Sequence, residues 1–353
     1  MVKKIEIYMC LIFFSFFIIY CSMVVMSSPP NEKNALWFMS FNTSENKSGY
    51  STTYNELKVP ESFGVGIFSS PIIPANSKET ATIKIAPHDP YEEYLYVSNQ
   101  MTTENDFLIF CLLDYQQIPF ELDNSSALIH HSIHLEPFQD SFYKFKIPPL
   151  NEGFHDFEIF VIMKSGDHSL NESFRHSTDN SYLGSKRVNL IVGNMTNSSL
   201  PQFRTYDGAI QSCGSGYVLN DGLLLTKKPC DNVALLSDAV APASIFDYSV
   251  NIAADNKYPV SVAIIPLVDY YQVPLANNSK NMVAFFNLST GEKMSIRMNI
   301  RVPPDAGTHE LMVLWIPQPY RSIDEDSRSI QKYHQWATSE PSIRVGLDVG
   351  NYE

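Results

Sequence analysis

The feature that most constrains the fold of this chain is an internal duplication with a period of 155 residues. The segment Leu-Leu-Asp-Tyr-Gln-Gln-Ile-Pro at 112–119 reappears as Leu-Val-Asp-Tyr-Tyr-Gln-Val-Pro at 267–274. A period this long is the size of a whole domain and far exceeds that of a solenoid repeat. Three shorter motifs recur in the same order: Pro-Pro at 148–149 and 303–304, Gly-x-His at 153–155 and 307–309, and Val-Gly-Asn at 192–194 and 349–351.

Each copy consists of short segments rich in Ile, Val, Phe and Tyr that are separated by turn residues, a pattern that predicts β-strands. Residues 143–147 alternate strictly between apolar and polar side chains, as expected for a strand with one solvated face. Because no long amphipathic helix separates the strands, a βαβ arrangement is excluded. The sequence therefore predicts an all-β chain of antiparallel sandwiches.

One corner of each copy is more specific. A Pro-Pro pair, a short acidic loop and Gly-x-His precede an apolar strand, and the histidines are His155 and His309. This pattern resembles the turn into the penultimate strand of immunoglobulin-like sandwiches, where an aromatic residue, usually tyrosine, binds back to the loop. The resemblance implies two tandem immunoglobulin-like sandwiches in which the histidines take the tyrosine's place as mostly buried structural corners. It implies no particular function.

The predicted organisation has five parts, and 353 residues that are 44% hydrophobic suffice for two cores. Sequence composition and the repeat motifs set the boundaries. The parts are a signal anchor or signal peptide at 1–28, a stalk rich in Ser, Thr and Asn at 29–63, the first sandwich at 64–194, a linker at 195–213 and the second sandwich at 214–353.

The N-terminus carries the signal for location. Lys3 and Lys4 precede an apolar run over 5–26 in which Glu6 is the only charge. Residues 7–26 are about as long as a membrane-spanning helix, but a cleaved signal is also open, although the run ends in a poor cleavage site. In both cases we expect the rest of the chain outside the cytoplasm, because the two lysines favour the inside.

The net charge of −13 excludes one class of partner. An acidic surface repels phosphate backbones and the chain has no basic stripe, so nucleic-acid binding is not expected. We expect membrane contact through residues 5–26, and a protein or a glycan is the partner left open. Eight Asn-x-Ser/Thr sequons predict a glycoprotein with exposed loops if they are used.

The cysteines agree with export. Cys213 and Cys230 bracket a 16-residue segment and are predicted to form a disulfide in an oxidising compartment. Cys111 lies in an apolar run, where a free buried cysteine is expected. Cys10 and Cys21 belong to the N-terminal apolar run.

Candidate catalytic and metal sites are weak. On a strand, His130 and His134 stand about 13 Å apart and His131 points the other way, which argues against one shared metal ion. Asp114 and Asp269 belong to separate copies, so turn or capping roles explain them better than a catalytic pair. Common hydrolase, zinc, phosphate-loop and EF-hand motifs are absent from the sequence. We therefore expect no enzyme, no metal and no cofactor.

Long segments at 165–185 and 317–341 precede the last strand of each copy. The second is the candidate binding loop, because Tyr, Trp and Arg commonly anchor interfaces. A short helix from about residue 323 to 336, packed on the sandwich edge, is equally open because a capping box precedes it. The candidate binding residues are Tyr320, Arg321, Tyr333 and Trp336.

These observations favour a non-enzymatic, membrane-anchored extracytoplasmic protein of the cell surface or envelope with two β-sandwich interaction modules. The alternative is an accessory protein that binds a carbohydrate or another ligand through the loop 317–341. Exposed aromatic side chains around a cleft would favour the alternative, and packed aromatic side chains would favour the interaction module.

Overall fold

Apolar and β-branched runs form strands throughout the part of the chain that the structure describes. A computed structural model describes residues 62–72, 82–178, 182–193, 206, 208–277, 279–323 and 339–350, all of which belong to one compact unit. The prediction of an all-β fold with several sheets is confirmed.

The first half of the described chain forms two sheets. One has the strand order β1-β3-β8-β6 and the other β2-β10-β9-β4-β5, with β7 also paired to β4. All pairs are antiparallel except β2 with β10. The elements are β1 (Phe63–Phe68), β2 (Thr82–Ile85), β3 (Tyr91–Asn99), β4 (Asn105–Leu113), β5 (Gln116–Ile118), β6 (Glu121–Leu122), β7 (His131–Leu135), β8 (Asp140–Ile147), β9 (Gly153–Met163), the helix α1 (Glu172–Ser177) and β10 (Leu183–Val192).

The second half also forms two sheets. One has the order β11-β18-β14-β12 and the other β13-β21-β19-β15-β16, with β17 paired to β15 and β20 to β19. Again a single pair, β13 with β21, is parallel. The elements are β11 (Ile210–Ser212), β12 (Gly222–Thr226), β13 (Ser237–Val240), β14 (Ile245–Ala253), β15 (Val260–Val268), β16 (Tyr271–Gln272), β17 (Ala284–Leu288), β18 (Lys293–Arg301), β19 (Gly307–Pro317), β20 (Glu340–Pro341) and β21 (Val345–Val349).

The two halves share their strand order except at one edge. The sheet β2-β10-β9-β4-β5 corresponds strand for strand to β13-β21-β19-β15-β16, and the row β1-β3-β8 corresponds to β12-β14-β18. The remaining edge differs, because β6 follows β5 in the chain whereas β11 precedes all other strands of its half. The register agrees with the sequence motifs, since Leu113 pairs with Phe157 and Val268 with Leu311, and the second strand of each pair has the same offset between copies as the Gly-x-His motif.

Each half buries its own core between its two sheets. In the first half Leu95 and Phe145 come from one sheet and Ile109 and Phe157 from the other, and all four are fully buried. In the second half the same layers contribute the residues Val250, Ile296, Ile264 and Val313, which are also fully buried.

A third apolar cluster joins the halves. It forms because β4, β9, β15 and β19 are apolar on both faces, and the faces turned away from the cores pack against each other. This cluster buries Phe110, Leu112, Tyr115, Phe160, Ile162, Leu183, Ala263, Ile265, Leu267, Tyr270, Met312, Leu314, Ile316 and Tyr320.

Several predicted segments lie outside the described residues. They include the signal or anchor at 1–28, nearly all of the stalk, much of the linker, and the part of the long loop that contains Tyr333 and Trp336. Among the residues that are described, no helix has the length and apolar character needed to cross a membrane.

Candidate functional site

The repeated Asp-Tyr pair forms a two-residue turn between two strands in each half. Asp114 and Tyr115 join β4 to β5, and Asp269 and Tyr270 join β15 to β16. All four residues have φ between 48° and 67°, as in the favoured two-residue hairpin turns. Tyrosine rarely adopts this conformation, so contacts of its side chain must hold it there.

The turn aspartate of the first half binds a histidine of the neighbouring strand. Asp114 Oδ2 lies 2.7 Å from His155 Nδ1, and Asp114 Oδ1 accepts a hydrogen bond from Asp156 N at 3.0 Å. The other ring nitrogen of His155 lies 2.9 Å from Asn151 O, in the loop that follows Pro-Pro. The histidine therefore ties the turn to the loop.

The corner of the second half repeats these contacts. Asp269 Oδ2 lies 2.6 Å from His309 Nδ1, and Asp269 Oδ1 accepts a hydrogen bond from Glu310 N at 2.9 Å. His309 Nε2 lies 2.9 Å from Asp305 O. The side chains of His155 and His309 are 15% and 16% exposed, so both are mostly buried. The bond from each histidine to an aspartate was not predicted, because the aspartates were expected to bond only to nearby backbone N–H groups.

The pKa of each corner histidine lies above its ordinary value. For His155 the hydrogen bond to Asp114 raises the pKa against the opposing effect of burial. For His309 burial acts to lower the pKa, but the hydrogen bond to Asp269 and further partners outweigh it. Because both ring nitrogens of each histidine are engaged, this geometry fits a structural tie better than a catalytic Asp–His pair.

Replacing His155 with alanine should lower the free energy of unfolding by about 1–2 kcal/mol, because the turn and the loop lose their tie. A histidine with a raised pKa in the folded state contributes stability that is full below its unfolded pKa and is lost as the pH rises through the folded value. The loss should therefore be larger at pH 6 than at pH 9 in urea unfolding. The exposed His176→Ala is the control, and an equal effect of both variants would contradict this role.

A buried acid–arginine pair of the first half binds the long loop of the second. Asp156 and Arg187 are 3% and 1% exposed, and Arg187 Nε donates to Asp156 Oδ1 at 2.7 Å. The two Nη atoms of Arg187 donate to Pro317 O and Gln318 O, at 2.6 and 2.9 Å. The Tyr115 hydroxyl also donates to Asp156, which holds the strained turn in place. The start of the second long loop is thus fixed to the first half.

The second half binds the first long loop in the same way. Glu310 is fully buried, and Arg344 Nε lies 3.4 Å from Glu310 Oε2. Arg344 Nη1 donates to Lys164 O at 3.0 Å and Nη2 donates to Asp167 O at 2.6 Å. Arg175 of the helix α1, also fully buried, donates to Glu310 as well. Each half therefore holds the long loop of the other.

The repeated glutamine completes a reciprocal junction. Gln117 N donates to Gln272 Oε1 at 2.8 Å, and Gln272 N donates to Gln117 Oε1 at 2.9 Å. Their side-chain amides donate to Tyr270 O and Tyr115 O, both at 2.9 Å. Equivalent residues that exchange the same contacts are the mark of a two-fold interface, here formed within one chain.

The candidate binding loop differs from expectation at its described end. Tyr320 is only 8% exposed and packs between the halves, with its ring centroid 4.8 Å from that of Tyr115. Tyr320 is therefore an interior residue and not the exposed binding residue that was expected. The hydrogen bonds from Arg187 to Pro317 O and Gln318 O hold this part of the loop against the first half. Arg321 is exposed. Tyr333 and Trp336 lie outside the described residues.

The three clustered histidines do not share one site. His130 and His131 each place Nε2 near a backbone carbonyl oxygen, at 3.0 and 2.7 Å. The exposed His134 instead groups with Glu104 and Glu136, also exposed, with potential ligand atoms within 4.8 Å of one another. The sequence predicts a strand that includes His130, but the observed strand β7 begins at His131, so His130 lies just before it.

Cys213 and Cys230 form a disulfide, and Cys111 is free and buried. In protein taken from its native compartment, Cys213 and Cys230 should resist thiol labelling until a reductant is added. Cys111 should be labelled only after denaturation, because burial raises the pKa of its thiol and excludes the reagent. Mass spectrometry of the labelled peptides measures both results. Labelling of Cys213 and Cys230 without reductant or denaturant would contradict the disulfide.

Sequence analysis missed the buried charges of the junction. The signal was present, because an acid follows each corner histidine as Asp156 or Glu310, and an arginine directly precedes the apolar part of each last strand, at Arg187 and Arg344. Charges in otherwise apolar strands are rarely buried without a partner. Matching acid and arginine positions in both copies could therefore have predicted the two pairs.

A cavity of about 380 Å³ opens at one end of the junction. It lies between the turn of the second half and the start of the first long loop. The residues that line it include Leu108, His130, Gly166, Asp269, Tyr270 and His309.

Comparison with known proteins yields only distant structural similarity, since no family model and no curated protein matches the chain. The CARDB domain of a Pyrococcus furiosus protein, solved with di-metal ions, is 11% identical, with 38% of this chain and 94% of that chain covered and a TM-score of 0.24. The PapD-like domain 7 of human CEP192 is 12% identical, with 39% and 88% covered and a TM-score of 0.21. A family 123 glycoside hydrolase from Clostridium perfringens is 13% identical, with 38% and 28% covered and a TM-score of 0.25. Similarity this low extends no function of those proteins to this chain.

Proposed function

We propose that this chain is a non-enzymatic extracytoplasmic protein, anchored in a membrane through residues 5–26, with two tandem immunoglobulin-like sandwiches that act as one rigid interaction module. The observation that carries the proposal is the reciprocal docking of the long loops. Arg187 binds the loop of the second half, and Arg344 binds the loop of the first. These hydrogen bonds fix the described start of each long loop against the opposite half.

The character of the junction supports a rigid module. Typical contacts between domains of one chain are polar and permit relative motion, whereas a large apolar contact does not. Here aromatic and aliphatic side chains from four strands are buried between the halves, and two acid–arginine groups are buried beside them. A partner would therefore meet one continuous body whose outer surfaces keep a fixed spacing.

The proposed location outside the cytoplasm is supported by the sequence of the N-terminus and by the cysteines. Lys3 and Lys4 precede an apolar run long enough to span a bilayer, which favours an anchor with the remaining chain outside. The Cys213–Cys230 disulfide is the form expected of an exported protein, because cytosolic thiols are kept reduced.

The alternative, an accessory protein that binds a carbohydrate or another ligand through the loop 317–341, has less support. Stacking on a sugar requires an exposed aromatic ring, and Tyr320 is buried against Tyr115. The start of the loop is also occupied by hydrogen bonds from Arg187. We therefore rank the interaction module first.

Protease accessibility on intact cells tests the proposed location outside the cytoplasm. The full chain, with its leader, should be produced in a host that has an export pathway and should be degraded when protease is added to intact cells. It should also stay with the membrane fraction after alkaline extraction, and deletion of residues 1–30 should release a soluble folded protein. A cytoplasmic protein exposed to the same protease is the control. Protection of the chain in intact cells, followed by degradation after lysis, would contradict the proposal.

A further inference from the structure

The cavity at the junction has a filled counterpart in the other half. The two long loops start with corresponding turns, in which Lys164 and Gln318 have φ of 53° and 47°. In both turns the N–H three residues further on donates to the carbonyl of that residue, at 3.1 and 3.3 Å. Gly166 and Tyr320 therefore stand at the same spacing in corresponding turns, although Tyr320 has a positive φ of 58° and Gly166 does not. One supplies no side chain, and the other supplies an aromatic ring.

The ring of Tyr320 fills a pocket of the opposite half. Its centroid lies 4.8 Å from that of Tyr115, with an interplanar angle of 83°, and 6.1 Å from that of Phe285. Edge-to-face contacts at this distance are favourable for aromatic pairs. The Tyr320 side chain is consequently removed almost completely from solvent.

Phe285, which adjoins Tyr320, also has a small counterpart. Phe285 pairs with Ala263 on β15, and Ser132 pairs with Leu108 on β4. Since Leu108 and Ala263 correspond at the repeat period of 155 residues, Ser132 takes the place of Phe285. Among the described residues, the two rings that meet beside Tyr115 thus have no aromatic counterpart beside Tyr270, and this is where the cavity lies.

We propose that this cavity binds a phenol-type aromatic ring of a ligand, in the place that Tyr320 fills in the other half. Tyr270 is positioned to contact the ring as Tyr115 contacts Tyr320. Asp269 lines the polar end of the cavity, where it can accept a hydrogen bond from the ligand's hydroxyl. In the filled pocket, burial and then the charge of Asp114 raise the pKa of Tyr320.

The inference goes beyond the proposed function and does not depend on where the protein resides. A phenol group could come from a free small molecule or from a tyrosine side chain of a partner protein. The chemistry that recognises the ring is the same for both sources, so binding assays with different carriers of the ring distinguish them.

Binding of 4-methylphenol to the full chain in detergent tests the proposal. Isothermal titration should show one site with a Kd of about 1 mM or tighter, a range that suits a ligand of this size. The ring resonances of His130 and His309, which line the cavity, should shift during an NMR titration. The comparator 4-methylanisole keeps the ring but lacks the donor, and should bind about tenfold more weakly, since it cannot donate a hydrogen bond to Asp269.

Two glycine-to-tyrosine variants form a matched pair. A Cβ at Gly166 meets no atom within 4 Å, so the backbone there accepts a side chain. Gly166→Tyr should fill the cavity from within and weaken the binding of 4-methylphenol at least about tenfold. Gly214→Tyr, at a glycine outside the cavity lining whose Cβ also meets no atom within 4 Å, should leave the affinity unchanged. If Gly166→Tyr fails to fold, the histidine resonances of the wild-type protein decide the question.

The outcomes are distinct. Tighter binding of a Gly-Tyr-Gly peptide than of 4-methylphenol would assign the ring to a partner protein, and the reverse would assign it to a small molecule. The proposal is overturned by the absence of saturable 4-methylphenol binding, by equal binding of 4-methylanisole, or by unchanged affinity in folded Gly166→Tyr. None of these results bears on export or anchoring, which the protease assay measures separately.

Discussion

Replacing Arg187 with methionine should lower the free energy of unfolding by about 3–5 kcal/mol, because the Asp156 carboxylate would stay buried without its cation. The loss has a second part. Arg187 also donates to Pro317 O and Gln318 O, so two carbonyl oxygens of the second long loop would lose a donor. Burial opposes the charge of Arg187, but Asp156 outweighs it and raises the pKa of the guanidinium, so Arg187 is charged at neutral pH.

Equilibrium unfolding in guanidinium chloride measures the change. The matched control is Lys146→Met, which removes a positive charge from a side chain that is 39% exposed and should cost at most about 1 kcal/mol. The double variant Arg187→Met with Asp156→Leu should recover part of the loss, because it removes the unpaired charge. A cost of Arg187→Met no larger than that of the control would contradict a buried, paired arginine.

The duplication made much of the fold predictable from sequence. Matching apolar runs with matching turns specify matching strand registers, and β4 and β15 differ in position by the sequence period. The repeat also marked the residues of the motif 112–119 as important, but the sequence alone did not show what each of them contacts. Its aspartate binds the corner histidine, its tyrosine packs between the halves, and its second glutamine pairs with its own repeat.

The junction between the halves was not predicted, although its signal was in the strands. Residues 107–113 and 157–163 are apolar with almost no alternation, and a strand of that kind is buried on both faces. A single sandwich accounts for one buried face only. The second face needs another layer, but sequence does not say whether the layer is the other copy, a helix or a partner protein.

Tyr320 shows why residue type misleads at such a junction. Tyrosine is enriched both at binding surfaces and inside interfaces within a chain, and its large ring stabilises either one. What decides between them is the direction of the loop. That direction depends on hydrogen bonds from Arg187, which is 130 residues from Pro317 in the chain, and no local pattern encodes such a contact.

Replacing Glu158 with glutamine should stabilise the protein at alkaline pH by about 3 kcal/mol and change little at pH 4. Glu158 is 3% exposed, and burial raises its pKa to about 7, although Arg187 and the hydroxyls of Ser185 and Ser339 oppose the shift. Below pH about 4.5 the carboxyl is protonated in both the folded and the unfolded chain. Between that pH and about 7 the unfolded chain releases its proton first, so the stability of the wild-type protein falls as the pH rises.

Urea unfolding of both proteins at intervals from pH 4 to pH 9 tests the prediction. The wild-type free energy of unfolding should fall relative to that of the variant through pH 5 to 7 and then stay parallel to it, because glutamine has no proton to lose. Glu152→Gln, which changes an exposed carboxylate of the same segment, should follow the wild-type curve. If the curves of wild type and Glu158→Gln stay parallel across the whole range, then Glu158 is ionised in the folded protein at a normal pKa, and a cation or donor must reach it inside the junction.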